Sequence, residues 1–142
     1  MNKDLIKLIK TKKAVVGVVG LGYVGLPLSI RLIEKDFNVI GFDNDKTKIA
    51  NLIKGKSYIS HIQSNSISKI LNNGFAPTFD FEQISKVDII TICVPTPLGV
   101  HNEPDLSFIF NTLSDMAPYL KQNQLIILES TTYPGTTEEE VL

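Results

Sequence analysis

Residues Val18 to Pro27 read VVGLGYVGLP, three glycines set directly against an apolar run that begins at Ala14. Glycine weakens strands and helices alike, so three of them at the onset of a hydrophobic core require a geometric reason. The spacing is Gly20-x-Gly22-x-x-Gly25, and a helical pattern continues from it to about Lys35. A second apolar run, Asn38 to Asp43, ends in an acid 18 residues past Gly25. Strand, glycine turn, helix, strand and acid, in that order, make the βαβ unit that binds dinucleotides.

Each glycine then has a task. Gly20 allows the tight turn off the strand, Gly22 lets backbone approach a pyrophosphate, and Gly25 brings the helix close to the sheet. Leu21, Tyr23 and Val24 complete that pyrophosphate loop. The helix start adds free N–H groups and a partial positive charge, and Pro27 is harmless in a first turn. Asp43 is placed to accept hydrogen bonds from the adenosine ribose and to repel a 2′-phosphate, which selects NAD over NADP. Lys46 and Lys48 follow and soften that preference. A glycine turn without a ligand, FAD, or a nucleoside cofactor remain open on the residues alone.

The rest of the chain alternates the same two patterns. Lys46 to Lys54 reads as a helix with Ile49, Leu52 and Ile53 on one face, and Ile67 to Leu71 as another, stopped by Asn72, Asn73 and Gly74. APTF offers a short third strand, VDIITICVP (Val87 to Pro95) a buried fourth, and QLIILES (Gln124 to Ser130) a fifth. Between the last two lies a helical stretch with Asp105 at its N-cap. Strands apolar throughout, separated by helices, predict an α/β fold: a Rossmann-type doubly wound parallel sheet with helices on both faces.

Composition excludes several classes. With 142 residues, 43% hydrophobic, the chain suits one domain over residues 1–142, opened by an amphipathic helix over 1–13. A net charge of −1 gives no drive toward nucleic acid or an anionic membrane. No apolar run is long enough to span a bilayer or form a signal-peptide core, so the expected location is cytoplasmic. The single cysteine, Cys93, lies in an apolar run and reads as a small buried hydrophobe. His61 and His101 have no partners at ligand spacing, so no metal site is expected. GKS at 55–57 lacks the earlier glycine of a P-loop. Tyr58 and Tyr133 read as packing residues before stacking ones, and Glu103 and Asp105 as helix-start residues. Thr136 with Glu139, and Thr137 with Glu140, have capping-box spacing just before the chain stops. A longer protein is therefore expected.

Three stretches then point to a family. GLGYVGLPL, CVPTPL (Cys93 to Leu98) and ESTTYPGTTEE (Glu129 to Glu139), with GFDNDKTKI and EPDLS, resemble in order the amino-terminal domain of the UDP-sugar 6-dehydrogenases. LESTTYPGTTEE and GKSYI resemble most the branch acting on UDP-N-acetylglucosamine for surface polysaccharides. The resemblance implies oxidation of a sugar C6 hydroxyl to a carboxylate with two NAD⁺, through a thioester on a cysteine. It places Lys48 near the adenosine, and Val94, Pro95, Thr96 and Pro97 beside ribose and phosphates. Ser130, Thr131 and Thr132 fall near the nicotinamide, with Thr131 helping to place a catalytic water. It sets the nucleophilic cysteine, most UDP-sugar contacts and the contacts of a homo-oligomer beyond Leu142. This stretch alone is expected to bind cofactor and oxidise nothing.

Overall fold

A computed structural model describes residues 3–98, 104–132 and 136. Five parallel strands form one sheet in the order β3-β2-β1-β4-β5. They are β1 (Val15–Val19), β2 (Asn38–Phe42), β3 (Phe75–Thr78), β4 (Ile89–Ile92) and β5 (Leu125–Leu128). The chain starts in the centre, winds out through β2 and β3, then returns to the other side of β1 for β4 and β5. That reversal leaves a crevice at the carboxyl ends of β1 and β4, where open α/β sheets hold ligands.

The central strands are buried on both faces, which is why they show no alternation. Val16 and Val18 of β1 join one apolar layer with Leu26, Ile33, Ile49 and Ile67. These come from α2 (Gly25–Glu34), α3 (Lys46–Ile53) and α4 (Ser64–Asn72). The N-terminal helix α1 (Lys3–Lys10) adds Leu5 to the same layer. Val19 of β1, with Ile90 and Ile92 of β4, forms the opposite layer with Phe42, Ile84 and Met116, the last from α5 (Ser107–Met116). The outer strand β3 tolerates Pro77 because it is an edge.

Several local expectations shift. Ile53 is 61% exposed, so α3 buries Ile49 and Leu52 alone; one residue past Leu52 turns the side chain about 100° out of the interface. The third strand is FAPT rather than APTF. A 3-10 turn over Phe81–Lys86, opened by the Asp80 carboxylate accepting from the Glu82 N–H, had no sequence signal. Asp105 is one residue short of the N-cap of α5, yet its carboxylate still accepts from the Ser107 N–H at 2.9 Å. Thr136 is buried. His101, Glu103, Tyr133 and the Glu138–Glu140 run lie outside the described residues.

The glycines of the first turn divide their tasks physically. Gly20 has φ +92°, a conformation side chains rarely adopt, and a Cβ there would press on the Cys93 carbonyl. A Cβ on Gly25 would overlap the Gly20 carbonyl oxygen, while one on Gly22 would meet nothing within 4 Å. Gly25→Ala is therefore expected to cost about 3 kcal/mol of stability through overpacking. Gly22→Ala should leave stability unchanged or raise it by up to about 1 kcal/mol. Urea unfolding of the two variants checks the contrast, and equal losses would refute it.

Candidate functional site

The carboxyl end of β1 is fixed on both sides before the glycine turn begins. Gly20 N–H donates to the Phe42 carbonyl at 2.8 Å, and Cys93 N–H to the Val19 carbonyl at 2.7 Å. The turn then feeds α2, whose N-cap Val24 offers no side-chain hydrogen bond and whose first turn carries no acid. By contrast, α3 is capped by Asp45, which accepts from the Thr47 and Lys48 N–H groups. A bare helix start at the end of a central strand leaves donors for an anion. Among the described residues, the Gly22 and Tyr23 N–H groups have no hydrogen-bond acceptor.

Asp43 stands at the end of β2, its side chain only 10% exposed. One carboxylate oxygen accepts from the Leu21 N–H at 2.9 Å and faces the Lys48 ammonium at 3.4 Å; the other accepts from the Asp45 N–H at 2.9 Å. The acid thus braces the glycine turn from the neighbouring strand, a contact that 22 residues of sequence separation conceal. Lys46 turns away instead, its ammonium 5.1 Å above the Phe79 ring.

These groups open on a cleft of about 570 Å³. Gly20, Gly22, Tyr23, Val24, Asp43 and Lys48 line one side, and Val94, Pro95, Thr96, Ser130 and Thr131 the other. The Ser130 hydroxyl donates to the Val94 carbonyl at 2.7 Å, tying together the loops after β4 and β5. Four expected residues do not line it. Leu21 buries its side chain in the core, and Gly25 lies against Gly20. The Pro97 carbonyl accepts from the Asp105 N–H, and Thr132 stands outside the cleft.

Other residues at the cleft have no cofactor role from sequence, which reads Tyr58 as packing before stacking. Glu129 and Ile59 line it, as does Tyr58, whose hydroxyl donates to the Leu21 carbonyl at 2.6 Å. Tyr23, 72% exposed, stacks on His61 with ring centroids 6.1 Å apart. A second cleft, about 370 Å³, shares Gly20, Asp43, Lys48, Val94 and Pro95 with the first. It continues past Asp43 between Phe108 and Thr112 of α5 and Asn44. Of these additional residues, Glu129 is signalled by its position directly before Ser130, and Tyr58 by its reading as a packing or stacking aromatic. No group of three potential metal ligands gathers among the described residues, and none of their helices is long and apolar enough to cross a membrane.

Cys93 also touches the cleft but is ill suited to attack. Burial pushes its thiol up to about 11, and the Glu129 carboxylate adds to the shift.

Residues 14–142 match the profile of the UDP-glucose/GDP-mannose dehydrogenase family, NAD binding domain. The chain belongs to this family and is its NAD-binding domain. A UDP-N-acetyl-D-glucosamine 6-dehydrogenase of Pseudomonas aeruginosa is 36% identical over 125 residues, 88% of this chain and 29% of that protein. A UDP-N-acetyl-D-mannosamine dehydrogenase of Pyrococcus horikoshii is 32% identical, over 87% of this chain and 30% of its own. The native structure of the UDP-N-acetyl-mannosamine dehydrogenase Cap5O from Staphylococcus aureus superposes with TM-score 0.81 at 31% identity, over 90% of this chain and 31% of that one. The chain thus spans under a third of the length of these family members. Their names differ in the sugar while their identities to this chain are similar.

Cys93 directly follows β4, and burial there keeps the proton on its thiol. At pH 8 only about one thiol in a thousand is ionised if its pKa is about 11. Alkylation by iodoacetamide should be slow in the native chain and accelerate with pH toward that value. It should be fast at pH 8 once urea unfolds the protein. Rapid native labelling at pH 7 would overturn the assignment of Cys93 as an inert thiol.

Proposed function

We propose that this chain is the front part of a UDP-N-acetylglucosamine 6-dehydrogenase and holds NAD⁺ across the two joined clefts. The observation that carries the cofactor placement is the uncapped start of α2 beside the open Gly22 position, with Asp43 at the adjacent strand end. A Cβ would have room at Gly22, but a pyrophosphate drawn to those N–H groups would occupy the same space. The adenosine ribose would meet Asp43, with the adenine in the cleft beside Phe108 and Thr112. Two lone-pair positions of Asp43 are held by backbone N–H groups; the contact with Lys48 is the long one and the readiest to give way to a ribose hydroxyl.

In the proposed reaction a primary alcohol becomes a carboxylate: RCH₂OH + 2 NAD⁺ + H₂O gives RCOO⁻ + 2 NADH + 3 H⁺. Bound NAD⁺ supplies the hydride acceptor. The residues of this chain bind and orient: the glycine turn and Asp43 on the adenosine half, Ser130 and Thr131 toward the nicotinamide. Thr131, exposed at the cleft, is assigned the placing of the attacking water. The nucleophilic cysteine, most sugar contacts and the surfaces of a homo-oligomer are assigned to the longer cytoplasmic protein. The glucosamine assignment is supported by the relative that is 36% identical and carries that name.

Calorimetric titration of the chain should show NAD⁺ binding with NADP⁺ clearly weaker. Asp43→Ala should weaken NAD⁺ by about tenfold or more, the scale of a charged hydrogen bond, and narrow the gap to NADP⁺. Unchanged NAD⁺ affinity would overturn the ribose assignment. In the full-length enzyme, UDP-N-acetylglucosamine should give two NADH per sugar; turnover with another UDP-sugar alone would reassign the substrate.

A further inference from the structure

The two peptides that flank Leu21 are each held by a side chain from outside the glycine motif. Asp43 holds the Leu21 N–H at 2.9 Å and the Tyr58 hydroxyl holds the Leu21 carbonyl at 2.6 Å. In a trans peptide the carbonyl of one residue and the N–H of the next point in opposite directions. Fixing the Leu21 carbonyl on Tyr58 therefore fixes the Gly22 N–H away from it. Glycine offers little steric resistance to rotation of that peptide, and nothing within 4 Å crowds the Gly22 position. Without a restraint, the unit could turn its carbonyl oxygen to where an anion needs a donor.

We infer that Tyr58 is a positioning residue that latches the Leu21–Gly22 peptide with its N–H turned toward the pyrophosphate. The inference rests on the cofactor placement proposed above and adds to it a residue 33 positions beyond the last motif glycine. The base of the latch is rigid. Ile59, next in sequence, is buried in the main core, and the Ser57 hydroxyl donates to the Ile59 carbonyl while accepting from its N–H. The Ser57 N–H in turn donates to the hydroxyl of Ser64 at the start of α4. Burial raises the pKa of the Tyr58 hydroxyl, and the charges of Asp43 and Asp45 raise it further. It therefore stays a donor throughout the neutral range.

The test compares wild type with Tyr58→Phe, which keeps the ring and removes only the hydroxyl, using isotope-labelled protein followed by NMR. In ligand-free protein the Leu21 carbonyl ¹³C and Gly22 amide ¹⁵N resonances should move, while those of β1 and β4 hold. Titrated with ADP, the variant should bind about fivefold more weakly, the value of one hydrogen bond, with adenosine affinity held within about twofold. A stationary Leu21 carbonyl would overturn the latch irrespective of any ligand. So would unchanged ADP affinity, or equal losses for ADP and adenosine, which would mark general damage. If wild type binds neither compound, the cofactor placement itself falls, and the pyrophosphate role of Tyr58 with it.

Discussion

The rest of this structure depends on a contact too close for a methyl group. Gly25, the first residue of α2, lies on the carbonyl oxygen of Gly20, the last residue before the turn. That approach seats a helix start directly over the end of the central strand. Its uncapped N–H groups then lie at the point where the winding of the sheet reverses, and the loops after β2, β4 and β5 converge on the same place. Moving the helix outward by one carbon would detach the donors from the crevice and loosen the fit of Gly25 against Val18 beneath.

Asp43 joins a proposed task to an observed one. It was read as a ligand for a ribose, and the structure also makes it a brace for the turn. A carboxylate suits both tasks because it has several acceptor positions and no donor. The sharing links the two halves of an adenosine diphosphate site mechanically: the group that would read the sugar also holds the loop that would meet the phosphates. Tyr58 completes this arrangement by holding the carbonyl of the next peptide, Leu21–Gly22.

What was legible in the sequence was whatever spacing alone determines. The three glycines, the acid closing β2 and the doubly apolar strands each follow from local geometry. The parallel sheet follows from their alternation with helices. Long-range contacts left no such mark. Tyr58 meets Leu21 across 37 residues from a loop without periodicity, and the second cleft exists only because α5 comes to rest beside the end of β2. The outward turn of Ile53 and the one-residue offset of Asp105 are errors of phase, which a helical pattern of eight or ten residues does not resolve.

The proline in β3 has a further consequence. Gly74 and Thr78 offer their carbonyls to Val39 and Asp43 of the inner neighbour, so residues of that parity face inward and Pro77 turns its nitrogen to the outside. A strand arriving at this edge would find no donor at the middle position. The missing donor blunts this edge against pairing with a stray chain, a protection against aggregation built into the backbone. The half-buried β5, free of proline, has no equivalent block. Of the two edge strands, β5 is the one whose residues all keep their N–H donors, at the side where Ser130 and Thr131 leave the sheet.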